Sequence, residues 1–130
     1  MALRKETGGY ADPAPATFYN ERRDCAVRAL SAAAALDYSA AHALCKAAGR
    51  KDREGMCSLH MDYAVVAASP KAERALGARG RSLSRFVVGH PSGCYVVLVT
   101  GHYVAIIDSV VYDWRIGSGR RRVKRAWRLA

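Results

Sequence analysis

An α+β fold is the class this 130-residue sequence predicts, on three observations. Apolar residues recur at three- and four-residue spacing between about residues 24 and 49, the period of helices packed on one side. From Cys94 onward, β-branched and aromatic runs are separated by one or two turn-type residues, the pattern of a meander of hairpins. Helices therefore come first and antiparallel strands second, which separates the fold from alternating βαβ architectures. One core is expected, because domains of this length seldom split. A content of 51% hydrophobic and 25% charged residues excludes disorder throughout. No apolar run approaches the ~18 residues of a bilayer span. The first ten residues lack the apolar stretch of a secretory signal, so export by that route is not expected.

Each element has a local reason. Residues 1–16, with Gly8-Gly9 and Asp12-Pro13-Ala14-Pro15, lack hydrophobic periodicity and read as a flexible or extended arm before a domain over residues 17–130. Asp24 is a candidate cap for a helix whose apolar positions are Ala26, Val27, Leu30, Ala33 and Ala34, which puts Cys25 in its first turn. A second helix is expected after Ser39, with Ala41, Leu44, Cys45 and Ala48 on one stripe and Gly49 ending it. Cys45 is then core. Residues 50–80 surround the short apolar segment Tyr63 to Ala68 with Lys, Arg and Gly and carry no clear pattern. Ser82 is placed to cap a short helix over Leu83 to Val88, which Gly89 and Pro91 end. Strands are expected over Cys94 to Thr100, His102 to Asp108, Val110 to Trp114 and Val123 to Leu129. In the last of these, Val123, Trp127 and Leu129 alternate with Arg122, Lys124 and Arg128, as in a sheet with one packed and one wet face.

The formal charge is +10, and from Arg115 to the end there are seven cationic residues and no acidic one. Two readings stay open for Arg120, Arg121, Arg122, Lys124 and Arg125. They protect a solvated edge strand from pairing with other chains, or they form a site for a polyanion such as nucleic acid.

Four cysteines (Cys25, Cys45, Cys57, Cys94) are expected as thiols, since the chain is too apolar to need a disulfide scaffold. A zinc site would pair Cys57 with His60, but Cys94 and His102 lack the spacing of a second half-site, so no metal or other cofactor is expected. Cys25 is different. Unpaired N–H groups at a helix start favour a thiolate, which is the nucleophilic form. His102 opens a strand in the second half and an acid follows on the next strand, the minimal set for nucleophilic acyl transfer. If Asp108-Ser109 is a two-residue turn, Ile107 faces Val110 and Val104 faces Asp113. Asp113 is then a diagonal neighbour of His102 on one sheet face, within about 7 to 8 Å. Asp108 shares that face but lies six residues along the strand, out of contact. If Thr100-Gly101 is the preceding turn, Val99 faces His102, and Cys94 points to the opposite face as a core residue. His42 falls off the apolar stripe of its helix and is expected in solvent; His90 sits at a helix end before Pro91.

The strings Asp24-Cys25-Ala26-Val27-Arg28-Ala29-Leu30, Ala41-His42-Ala43-Leu44, Ser82-Leu83-Ser84-Arg85-Phe86, Gly101-His102-Tyr103-Val104-Ala105-Ile106 and Val111-Tyr112-Asp113 carry a resemblance. Over about residues 20 to 129 the chain resembles small, mostly phage-encoded papain-like cysteine peptidase homologues. It is similar in plan to the bacteriocin-processing peptidase domains of bacterial exporters. The resemblance implies a papain-like fold, Cys25 as nucleophile, His102 as general base and acid, Asp113 as the residue that orients it, and a peptide or protein substrate. It also implies a cytoplasmic protein, in a bacterial host if phage-encoded. The exporter domains carry an oxyanion-binding glutamine six positions before the cysteine. Tyr19 stands there in this chain, and the neighbouring Asn20 is the candidate donor beside the backbone N–H of Cys25. Two functions are thus expected to compete: a thiol hydrolase or acyl transferase acting on an amide, isopeptide or thioester bond, and a binding protein that holds nucleic acid or an acidic partner on its basic C-terminal strand.

Overall fold

A computed structural model describes residues 2–4, 23–112 and 120–130. Asn20, Asp113, Trp114 and Arg115 lie outside them. Within them the chain is α+β. Four helices, α1 (Cys25–Ala34), α2 (Tyr38–Ala47), α3 (Ser58–Ala68) and α4 (Leu83–Gly89), accompany strands β1 (Ala2–Arg4), β2 (Glu73–Arg74), β3 (Cys94–Val99), β4 (His102–Ile107), β5 (Val110–Tyr112) and β6 (Val123–Arg128). The sheet order is β1-β5-β4-β3-β6-β2. Strands β2 to β6 pair antiparallel, and β1, the one element described within the N-terminal arm, adds to β5 in parallel.

The two hairpins have the register counted from the sequence. Val99 faces His102 across Thr100-Gly101, and Ile107 faces Val110 across Asp108-Ser109. Asp108 and Ser109 both take positive φ, 46° and 69°, as a two-residue turn matched to strand twist requires. The turn is tied down from outside: the Asp108 carboxylate accepts from the Gly93 N–H at 2.9 Å, and the Ser109 hydroxyl donates to the Pro91 carbonyl at 3.1 Å.

Both faces of the sheet are packed, which corrects the expectation of one wet face. Val96, Tyr103, Ala105 and Trp127 meet α1, α2 and α3 on one side. Val97, Val99, Val104 and Ile106 meet Leu83, Phe86 and Val87 of α4 on the other. Successive residues of a strand pack on opposite faces because side chains alternate, so β4 is buried continuously from His102 to Ile106. A register shift opposite Leu98 and Val99 explains why the simple count failed in β6. Leu98 faces Arg125 but Val99 faces Val123, so Lys124 is the extra residue of a bulge. The bulge turns Val123 to the α4 side while Trp127 and Leu129 stay on the α1 side. Nor is β6 an edge strand. Beyond it run β2 and residues 75–82, with Ala75 N–H donating to Ala126 O at 2.9 Å and Gly80 N–H to Val123 O at 2.8 Å. Shielding of an open edge therefore does not account for the cations of β6.

The helices supply three further corrections. Asp24 occupies the N-cap position of α1, but its side chain caps nothing there. Asp37, and not Ser39, caps α2, accepting from the Ala40 N–H at 2.7 Å. His42 is buried, not solvated: it packs beside Tyr38, with Nε2 3.7 Å from an Asp52 oxygen. Ser82 caps α4 as expected, accepting from the Arg85 N–H. Among the described residues no helix is long and apolar enough to cross a membrane.

Gly49 ends α2 at φ +121°, and a Cβ there would lie 2.7 Å from the His60 ring of α3. Gly49→Ala is therefore expected to lower stability by about 1–3 kcal/mol, since the backbone is strained for any other residue and the ring must move. Denaturant midpoints would check this, and an unchanged midpoint would mean the two helices are not locked at this contact.

Candidate active site

The site lies where α1 starts against the start of β4. The first residue of α1, Cys25, is half-buried, while His102, the first residue of β4, is fully buried. Alanines at 26, 29, 32 and 33 let α1 lie close on the sheet. That packing holds the helix start over His102 and Tyr103, which the hairpin turn at Thr100-Gly101 brings to the same end.

Burial by itself would raise the Cys25 thiol, because a thiolate loses solvation there. Hydrogen bonds reverse the outcome. The His102 side chain is hydrogen-bonded to the sulfur, the backbone N–H groups of Tyr103 and Ala26 also donate to it, and the charge of the imidazolium adds to them. The net effect is a thiol held below its ordinary value of 9.0. The other cysteines contrast with this. Burial pushes Cys45 up to about 12, and burial together with the nearby Asp108 raises Cys94. Cys94 lies on the face opposite Val97 and Val99, as the register count placed it, and is part-exposed rather than core.

Three neighbours of the site had no clear signal in the sequence. The Asp24 carboxylate accepts from Arg28 Nε at 3.0 Å and from the Tyr38 hydroxyl at 2.8 Å, which fixes the first turn of α1 to α2. Arg50, buried, donates to the Arg23 carbonyl at 3.3 Å and holds the chain entering the helix. The Tyr103 hydroxyl donates to the Met56 carbonyl at 3.0 Å, tying residues 50–57 against the site.

Of the residues expected to act together, Cys25 and His102 meet. Asp113 and Asn20 lie outside the described residues, although the hairpin that would carry Asp113 keeps its counted register as far as Ala105 opposite Tyr112. Comparison with protein-family models, curated proteins and solved structures finds nothing that matches this chain.

Proposed function

We propose that this protein is a papain-like thiol hydrolase or acyl transferase acting on an amide, isopeptide or thioester bond. The observation that carries the proposal is the hydrogen bond between Cys25, at the start of a helix, and His102, at the start of a strand. A thiolate in that position is both activated and partly open to solvent.

In the reaction the Cys25 thiolate attacks the substrate carbonyl carbon, forming a C–S bond as the carbonyl π electrons move to oxygen. The backbone N–H of Cys25 is among the four that a helix leaves without an intrahelical acceptor, and is suited to receive that oxyanion. Collapse of the intermediate breaks the bond to the leaving group, which takes its proton from the His102 imidazolium. The thioester on Cys25 is then attacked by water, or by an amine in the transferase case. His102 accepts the nucleophile's proton, and the thiolate leaves. Asp113 is assigned to orient His102 and Asn20 to assist the oxyanion, both from the sequence.

Incubation with p-nitrophenyl acetate tests the reading. A burst of nitrophenol, with an acetyl group found by mass spectrometry on Cys25 and absent from Cys25→Ala, is the expected result. Acetylation at another residue, or none, would overturn it.

A further inference from the structure

The fold brings the basic C-terminal segment against a second basic segment that the charge count did not connect with it. Residues 79–85 contain Arg79, Arg81 and Arg85 and no acid, and they pair antiparallel with residues 121–123. The Val123 N–H donates to Arg81 O at 2.8 Å and the Leu83 N–H to Arg121 O at 2.9 Å. The cations of both segments thus share one end of the sheet. Next to the bulge at Lys124, a cavity of about 190 Å³ is lined by Arg74, Arg79, Lys124 and Arg125.

These charges differ in how far they are compensated. Arg74 and Arg125 both pair with Asp62. Arg121 and Arg122 are fixed by the carbonyls of Thr100 and Gly80, at 2.9 and 3.1 Å, which orient a guanidinium without cancelling its charge. Arg79, Arg81, Arg85 and Lys124 are exposed, and no carboxylate among the described residues pairs with them.

We infer that this composite surface binds the phosphate backbone of a nucleic acid, with Arg79, Arg81 and Lys124 at its centre. Most of its cations are arginines, whose planar fork suits phosphate oxygens. A duplex presents a charge about every 1.7 Å along its axis, a density that answers a run of uncompensated cations better than a scattered acidic protein surface does. The groove has no aromatic or methionine lining of the kind that anchors protein partners. The inference is independent of the Cys25 chemistry.

The test is fluorescence anisotropy of a labelled DNA duplex of mixed sequence between about 50 and about 200 mM salt. Two triple variants that remove equal charge are compared: R79Q/R81Q/K124Q in the patch and K46Q/K51Q/K71Q elsewhere. The patch variant is expected to lose at least about tenfold in affinity and to flatten the log–log salt slope by about 2 to 3, with a much smaller loss in the control variant. Equal losses in the two variants would show that net charge and not a site is responsible, and would overturn the inference. So would no duplex binding at the lowest salt, or binding to phosphatidylserine vesicles in place of the duplex. Iodoacetamide reactivity of Cys25 should be the same in both variants, which separates this outcome from that of the hydrolase proposal.

Discussion

Iodoacetamide at neutral pH is expected to alkylate Cys25 before the other three cysteines, and His102→Ala to slow that reaction at least about tenfold. The direction follows from opposing influences. Burial, the largest, disfavours the thiolate; the hydrogen bond from His102, the backbone N–H groups of Tyr103 and Ala26, and the imidazolium charge more than offset it. Without His102 the strongest opposing contribution disappears, so the thiol rises and less thiolate is present at neutral pH. The rate against pH should therefore have its midpoint below 9.0 in the wild type and move upward in the variant. Asp113→Ala should move it less, because an orienting group adjusts the base without replacing it. Cys45, buried and pushed up to about 12, should stay silent until the protein unfolds. Faster labelling of the exposed Cys57 with Cys25 inert would remove the basis for the enzyme reading.

What the sequence disclosed about this site depended on local periodicity. Helix α1 was readable because its apolar residues fall on one stripe, and that placed Cys25 at a helix start. Strand β4 was readable because a short turn on each side fixes its register, and that placed His102. Helix α3 was not readable for a physical reason: its apolar residues surround it. Met61, Ala64 and Val65 are buried while Leu59, Tyr63 and Val66 are 58%, 62% and 50% exposed, so no stripe distinguishes it from a loop. His42 was misplaced because a polar residue beside an apolar stripe reads as solvated until its partner is known, and that partner, Asp52, lies in the patternless stretch that follows. The bulge at Lys124 was likewise invisible, since one extra residue in a strand leaves composition unchanged and alters only the faces.

The largest expected loss of stability is at Trp127, where Trp127→Ala should cost about 3–5 kcal/mol. The side chain is 1% exposed and its ring stacks near Tyr103, with centroids 6.3 Å apart. Its Nε1–H donates to Asp62 at 2.7 Å, and the same carboxylate accepts from Arg74 and Arg125. One acid thus joins α3, β2 and β6. Asp62→Ala should cost about 2 kcal/mol, the usual scale for hydrogen bonds to a charged group. The double variant should cost less than the two losses added, because both remove the same hydrogen bond. The pH dependence has a definite sign. Desolvation opposes the charged form of Asp62, but the hydrogen bonds from Arg74 and Trp127 and the charges of Arg74 and Arg125 outweigh it, so its carboxyl titrates below its ordinary value of 3.8. A group lowered on folding stabilises fully above its unfolded value, and that stabilisation is lost as pH falls through the folded one. Wild type and Asp62→Ala should accordingly differ most at neutral pH and converge in acid below 3.8. Thermal melts of the two proteins across that range would measure it, and a gap that widened on acidification would mean that Asp62 is not held as a carboxylate by these three donors.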